Sequence, residues 1–401
     1  MTAGVREALR TTYYALVHLS LANLAYASEN DGKSVVSAVT AILADPNKLP
    51  PLPAPPDADN RGAAPLPIDG YWKLDWGGDI GDNTNGVLIM SFRDGARPAA
   101  GAPDGVPYFF AVSIRGTDTE AWKGAEIVEI FEDLDAFGQT PWAAVLGTLP
   151  NPSRRTIPPA LTGKIANGTA DGLRIISRFG APLGGQPETL AGAMAALLAE
   201  YPATPVVITG HSLGACLTQV VAAYLAWQLY DTQSTPLVDM LPNPFAPPAA
   251  GDAAFAAMYD TLFPNGHFWF NETDLVPHAW TEVLNIPKLW VAQAWPAPAG
   301  GEPPAGPKCP FAFDAVVDLW GKKVPPYARP SVNQQALAAG LPTQDVITAF
   351  LQSSSSTSAW NSWSAQLLWQ HMPPCYHTKI SAAVPASQLA PFALVDTKPP
   401  Y

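Results

Sequence analysis

The feature that most constrains this chain is a short apolar run followed by a glycine-bounded turn and a long apolar segment. Residues 205–209 are apolar and rich in β-branched side chains, which predicts a strand buried on both faces, as in a parallel sheet. Residues 213–230 carry apolar side chains nearly all around a helix, so this helix should also be buried. A buried strand, a tight turn and a buried helix form the unit of a doubly wound α/β fold.

The turn itself reads Gly210-His211-Ser212-Leu213-Gly214, a G-x-S-x-G pattern. In a turn this sharp, any side chain larger than hydrogen would clash at the two glycine positions. The turn would raise Ser212 Oγ above the sheet edge, and the following helix would offer N–H groups to a developing oxyanion. Because the pattern stands between a buried strand and a helix, it indicates a nucleophilic serine rather than an idle one.

A serine nucleophile needs a base and an acid that orients the base. If the base follows the nucleophile and the acid along the chain, the candidates are His371 and His377. For the acid, Asp274 follows the β-prone residues 267–270, and a parallel sheet presents catalytic groups just past its strand ends. Asp252 and Asp260 are the alternatives. The remaining histidines are interpreted as structural or rim residues: His18, His211, His267 and His278.

Three motifs together resemble the class 3, fungal-type lipases of the α/β-hydrolase fold. They are Gly-His-Ser-Leu-Gly-Ala at 210–215, Arg-Gly-Thr at 115–117 after a predicted strand, and Asn-x-x-Asp-x-Val-Pro at 271–277. The resemblance extends from about residue 16 to residue 380 and includes an N-terminal helix ending in Ala25-Tyr26. It implies a single α/β-hydrolase domain over residues 1–401, with a mostly parallel central sheet, helices on both faces and a cap or lid insertion.

The resemblance also assigns roles to individual residues. Ser212 corresponds to the nucleophile, Asp274 to the acid and His377 to the base, while Thr117 and Leu213 correspond to the oxyanion-hole residues. The activity implied is hydrolysis of carboxylic esters, above all acylglycerols, through an acyl-enzyme intermediate. No metal or organic cofactor is implied.

Two departures from the family pattern are visible. Residues 244–251 stand where the family has Phe-Gly-x-Pro-Arg-x-Gly, and they lack its first glycine and its arginine. The gap between Asp274 and His377 is unusually long, which keeps His371 open as the alternative base.

Two segments are candidates for covering the site. Residues 119–149 mix large apolar side chains with six acidic residues, which fits either a lid helix or a surface helix with its apolar stripe in the core. Residues 288–370 hold six of the thirteen tryptophans among Pro/Gly-rich and Ser-rich stretches. We interpret this second segment as a cap-like insertion, whose tryptophans either line an acyl tunnel or form core.

The composition of the chain excludes some classes of binding partner and of structural site. The net charge is −12 without a basic cluster, which argues against a nucleic-acid partner. No apolar run reaches the roughly 18 residues of a membrane-spanning helix. The three cysteines, Cys216, Cys309 and Cys375, match no zinc motif and allow at most one disulfide. Residues 13–27 resemble an export signal in their Ala-Tyr-Ala ending, although their helical spacing favours an ordinary first helix.

Two rival functions remain open from the sequence. One is a different ester hydrolase on the same scaffold, either a phospholipase A1 or a short-chain or feruloyl esterase, because specificity depends on the pocket. The other is a non-catalytic lipid-binding protein that has kept the turn. The sequence does not determine the oligomeric state.

Overall fold

The fold was analysed in a computed structural model. It describes residues 3–27, 35–55, 67–79, 86–99, 101–116, 135–179, 189–230, 239–289, 321–338 and 363–395, with residues 314, 317, 318 and 348. The strands are β1 (Gly70–Asp79), β2 (Gly86–Asp94), β3 (Pro107–Arg115), β4 (Gln139–Pro141), β5 (Lys164–Ala166), β6 (Val206–His211), β7 (Met240–Phe245), β8 (Phe268–Asn271) and β9 (Gln334–Leu337).

The helices are α1 (Ala3–Leu9), α2 (Ala15–Leu24), α3 (Val35–Ala44), α4 (Trp142–Leu146), α5 (Asn167–Ser177), α6 (Leu190–Glu200), α7 (Leu213–Leu229), α8 (Ala253–Leu262), α9 (Trp363–His371) and α10 (Pro373–Ala383). Short 3₁₀ turns cover Val276–His278, Val283–Lys288 and Ala386–Gln388.

Seven strands form the central sheet, in the order β1-β2-β3-β6-β7-β8-β9. The five strands from β3 to β9 pair in parallel, whereas β1 and β2 add an antiparallel edge. Strands β4 and β5 form a separate two-stranded sheet. The sequence-based prediction of a mostly parallel α/β-hydrolase sheet is therefore confirmed.

Strand β6 runs through the middle of this sheet and divides two apolar cores. Val206 and Ile208 point into a core that includes much of α7, whereas Val207 points into a second core with α2 and part of α10. The alternation follows from the two-residue period of a strand. Because both faces are covered, β6 is wholly buried, as its apolar sequence predicts.

Part of the segment interpreted as a cap belongs to the main fold. Strand β9 extends the sheet beside β8, and α9 packs on α10. The cap interpretation of residues 288–370 therefore does not extend to residues 334–337 or 363–370. Of the six tryptophans, Trp363 and Trp369 are buried core residues, and the other four lie outside the described residues.

The predicted lid segment is described only from residue 135 onward. There it forms β4 and α4. Strand β4 is exposed or half-buried, whereas Trp142, Val145 and Leu146 of α4 are buried in the core. Cys216 and Cys375 are buried free thiols, while Cys309 lies outside the described residues. No helix in the described part of the chain is both long and apolar enough to cross a membrane.

Candidate active site

Ser212 lies at the turn between β6 and α7. Its backbone has φ 59° and ψ −127°, a conformation that residues other than glycine rarely adopt. Such strain costs on the order of 1–3 kcal/mol and persists only where the surroundings enforce it. Ser212 is partly exposed although most of β6 and α7 is buried. The turn therefore presents a serine side chain at the edge of the sheet.

The two glycines of the turn are required by close backbone approaches. A Cβ added at Gly210 would lie 2.4 Å from the carbonyl oxygen of Gly214, and one added at Gly214 would lie 2.3 Å from that of Ile114. Real Cβ atoms do not approach backbone this closely. The steric argument made from the sequence is therefore confirmed.

The end of β3 lies directly beside this turn. A Cβ added at Gly116 would be 2.6 Å from the backbone nitrogen of Gly214. Leu213 is the first residue of α7, where helix N–H groups have no partner within the helix. Thr117, the other predicted oxyanion residue, lies outside the described residues.

A tyrosine hydroxyl connects these two backbone segments. Tyr26, just after α2, donates a hydrogen bond to His211 O at 2.8 Å and accepts one from Gly116 N at 3.1 Å. The hydroxyl thereby fixes the end of β3 against the serine turn. The sequence resemblance included the Ala25-Tyr26 pair but gave it no role.

Asp274 follows β8 and is completely buried. Its Oδ2 lies 2.8 Å from Nδ1 of His371, and its Oδ1 accepts a hydrogen bond from Val276 N at 3.0 Å. His371 is the last residue of α9 and is also fully buried. The structure thus brings together Asp274 and the alternative base, His371.

His377 occupies a different place. Its Nε2 lies 2.8 Å from the carbonyl oxygen of Phe392, so the assignment of His377 as the partner of Asp274 is corrected to His371. The reason is a break between α9 and α10, where Met372 has extended backbone and Pro373 begins the new helix. After this break, Tyr376 faces Asp274, and its neighbour His377, about 100° further around α10, does not.

The two alternative acids accept hydrogen bonds from backbone N–H groups in other parts of the fold. Asp252 caps α8 by accepting a hydrogen bond from Phe255 N at 2.9 Å. Asp260 accepts hydrogen bonds from the backbone N–H groups of Ser331 and Val332. Both carboxylates hold local backbone.

His211 links the serine turn to His371. Its Nε2 lies 2.7 Å from the backbone oxygen of His371, and the two imidazole rings are 4.7 Å apart. Burial lowers the pKa of His211 well below its usual value, so the ring is neutral. Since a carbonyl oxygen only accepts, the single proton of this ring lies on Nε2. His371 is thereby held beside the segment that carries Ser212.

Sequence reasoning missed one side chain at the site. Tyr376 donates a hydrogen bond to Asp274 Oδ2 at 2.8 Å, on the same oxygen that His371 contacts. In the sequence it was notable only as the neighbour of His377. Within the described residues, no group of three or more His, Cys, Asp or Glu side chains is placed to hold a metal ion.

A cavity of about 330 Å³ lies beyond the loop that carries Asp274. Its lining combines apolar side chains with the polar side chains of Thr281, Glu282 and Asn285; the apolar ones are Trp280, Val283, Leu284, Val324, Pro325, Pro326 and Tyr327. The carboxylate of Glu282 lies 3.2 Å from Arg329 and 2.7 Å from His278.

Part of the chain matches a known protein family. The sequence profile of the lipase (class 3) family matches residues 111–284, a span that includes Ser212 and Asp274 and ends before His371. No protein with curated annotation shows significant sequence similarity to the chain.

The solved structures to which the chain is similar include several lipases. M37 lipase is 16% identical, with 97% of this chain and 95% of that chain covered and a TM-score of 0.56. Lip2 lipase from Yarrowia lipolytica is 15% identical over 66% and 72% of the two chains, with a TM-score of 0.40. The lipase from Rhizopus microsporus var. chinensis is 18% identical over 69% and 70%, with a TM-score of 0.39.

The likeness to M37 lipase, at this identity, concerns the fold alone. The profile match concerns the segment that carries the serine turn and the buried acid. The predicted resemblance to class 3 lipases is confirmed, and the chain is a carboxylic ester hydrolase on the α/β-hydrolase fold.

Proposed function

We propose that the protein hydrolyses acylglycerol esters through a Ser212–His371–Asp274 triad and an acyl-enzyme intermediate. Ser212 Oγ attacks the ester carbonyl carbon, and His371 takes the Ser212 proton and passes it to the leaving alcohol. Water, deprotonated by His371, then attacks the acyl-enzyme, and the acid is released as Ser212 regains its proton.

Asp274 orients the base in this scheme. Its carboxylate accepts the Nδ1–H of His371, which leaves Nε2 as the nitrogen that exchanges protons with Ser212. The buried carboxylate also stabilises the imidazolium that forms after proton transfer. The Leu213 N–H and Thr117 stabilise the negative charge on the carbonyl oxygen.

One observation carries the proposal. A fully buried carboxylate–imidazole contact of 2.8 Å lies beside a strained serine turn, and His211 joins the two. A serine held at positive φ costs stability, and such strain collects at functional sites. A non-catalytic protein has no use for these two features in contact.

The choice of substrate is supported by the matched family, which is that of class 3 lipases. Acylglycerols are the esters that the resemblance to this family implies.

Hydrolysis of p-nitrophenyl esters from acetate to palmitate tests the proposal. Turnover should peak at long chains, and Ser212→Ala should lower kcat by about 10⁴–10⁶-fold, as removal of a triad nucleophile does. A serine-directed phosphonate should label wild-type protein at Ser212 and leave Ser212→Ala unlabelled.

Each of the other results contradicts a specific part of the proposal. A peak at acetate or butyrate retains the triad but indicates a short-chain esterase. Activity of Ser212→Ala within tenfold of wild type overturns the nucleophile assignment. Wild-type protein that neither turns over esters nor reacts with the phosphonate supports a lipid-binding protein.

A further inference from the structure

The carboxylate of Asp274 has a second side-chain partner besides His371. The hydroxyl of Tyr376 lies 2.8 Å from Oδ2, the oxygen that also contacts Nδ1 of His371 at 2.8 Å. Tyr376 is fully buried in α10. A phenol therefore shares one carboxylate oxygen with the imidazole.

The direction of the Tyr376 hydrogen bond is fixed by its surroundings. The hydroxyl accepts a hydrogen bond from the backbone N–H of Asn271 at 3.0 Å, so its one proton is directed at Asp274. Burial and the adjacent carboxylate raise the pKa of Tyr376 well above its usual value. The phenol therefore keeps its proton throughout the working pH range of a hydrolase.

Asp274 thus receives donors on both oxygens. Val276 N donates to Oδ1, and Tyr376 and His371 donate to Oδ2. Hydrogen bonds from charged or strongly polar donors to a carboxylate are short and strong, and they fix the orientation of the group. Each hydrogen bond also reduces the negative charge that the carboxylate presents to the other donors.

We infer that Tyr376 is a positioning residue of the triad. Its hydroxyl fixes the orientation of Asp274 toward His371 and weakens the attraction between the Asp274 carboxylate and the protonated His371 ring. The inference rests on the proposed function, because it concerns the same acid and base. It adds a fourth side chain whose hydroxyl influences the pH at which His371 can act as a base.

Other ionisable groups around this cluster are few. His211 faces His371 from the serine turn, the charge of Asp274 acts on the pKa values of Cys375 and Lys379 in α10, and Tyr376 acts on that of Arg329. Glu272 acts on Lys379. None of these ionisable groups is altered when the Tyr376 hydroxyl alone is removed. The removal also takes away the acceptor of the Asn271 N–H.

The test compares Tyr376→Phe with Tyr14→Phe. Tyr14 is also fully buried, and its hydroxyl donates to Pro53 O at 2.9 Å, away from Asp274. Tyr376→Phe should lower kcat about tenfold, the effect of one hydrogen bond to a charged group. The acidic limb of kcat/KM against pH should move up by about 0.5–1 pH unit, because the less-neutralised carboxylate retains the imidazolium more strongly. Tyr14→Phe should change neither quantity.

A second replacement keeps the shape of the side chain. Incorporation of 3-fluorotyrosine at position 376 makes the phenol a stronger donor, so the acidic limb should move in the opposite direction, to lower pH. This variant tests the inference even if Tyr376→Phe does not fold. In an Asp274→Asn background, the kcat loss from Tyr376→Phe should be much smaller, because the negative charge on which the hydroxyl acts is gone.

The inference is overturned if the acidic limb stays in place in Tyr376→Phe, or moves the same way with 3-fluorotyrosine. It is also overturned if the kcat losses of Tyr376→Phe and Asp274→Asn simply add. Phosphonate labelling of Ser212 and inactivity of Ser212→Ala keep the proposed function standing in those cases, so the two failures are distinguishable.

Discussion

The segment that carries Ser212 and the segment that carries His371 reach the same site by different routes. The serine turn is built within five residues, by two glycines and one strained backbone. His371 reaches Asp274 across 97 residues of sequence, and Tyr376 reaches it across 102. The comparison shows that local sterics fix the backbone at Ser212, whereas packing of distant helices decides which histidine meets Asp274.

Replacing each of the two candidate histidines by alanine tests the long-range part of the comparison most strongly. His371→Ala should lower kcat by about 10⁴–10⁶-fold, because it removes the only imidazole in contact with Asp274 among the described residues. His377→Ala removes a hydrogen bond to Phe392 O and should leave kcat within about threefold of wild type. Steady-state kinetics on a p-nitrophenyl ester measures both, and equal losses would contradict the assignment of His371.

A methyl group added at Gly214 tests the local part of the comparison, which is the serine turn. Gly214→Ala places Cβ against Ile114 O and should lower the free energy of unfolding by about 2–4 kcal/mol. Gly147 is the matched control, since its φ is −64° and its nearest heavy atom to an added Cβ is 3.5 Å away. Gly147→Ala should change stability by less than about 1 kcal/mol. Urea titrations compare the two, and equal effects would show that the turn tolerates a side chain.

A buried histidine beneath the turn predicts an acid sensitivity of folding on the serine side. His18 lies in α2, its backbone oxygen 3.2 Å from Thr209 Oγ1 of β6. Neither of its ring nitrogens has a hydrogen-bond partner among the described residues, and burial, with a smaller effect of His267, lowers its pKa to about 3.

The sign of this effect follows from proton binding. Below about pH 6.5 the unfolded chain protonates His18, whereas the folded protein does not until about pH 3, so stability falls as pH falls. His18→Leu should reduce the slope of unfolding free energy against pH between about 6 and 4 by about 1.4 kcal/mol per unit. Urea titrations at several pH values, with pH 7.5 as the reference, measure it. An unchanged slope would mean that His18 is protonated in the folded state.

Much of the fold could be predicted because the central strands are apolar and bounded by turns. The predicted strand at 205–209 corresponds to β6, the strand predicted before residues 115–117 corresponds to β3, and the predicted helix at 213–230 corresponds to α7. Strand β9 could not be predicted, since it reads Gln-Gln-Ala-Leu and has mostly exposed or half-buried residues. Its pairing with β8 depends on backbone hydrogen bonds at the sheet edge, which sequence patterns do not reveal.

The candidate site also contains residues that the sequence predicts and residues that it does not. Ser212 and Asp274 could be proposed from the sequence because each follows a strand, where the backbone determines which side chain is presented. Chain order allowed both His371 and His377. Pro373 explains the helix break at Met372, but the sequence does not show which of the two histidines then faces Asp274, because that depends on how the helices pack.

The absence of the family's first glycine did not predict the backbone conformation at this position. Ala246 occupies that position, and it nevertheless has φ 55°. Left-handed backbone costs a residue with a Cβ about 1–2 kcal/mol, which surrounding contacts can offset. Ala246 is fully buried, and its N–H donates to Trp269 O at 3.0 Å.

The position of α2 has a consequence for the time course of synthesis. This helix packs on β6 and α10, with His18 and Thr209 191 residues apart and Ser20 joined to Ala393 across 373 residues. The ribosome therefore releases α2 long before either partner exists, and its apolar surface stays uncovered meanwhile. Contacts of such long sequence separation slow folding. A nascent chain can therefore complete the core around α2 only after α10 has left the ribosome.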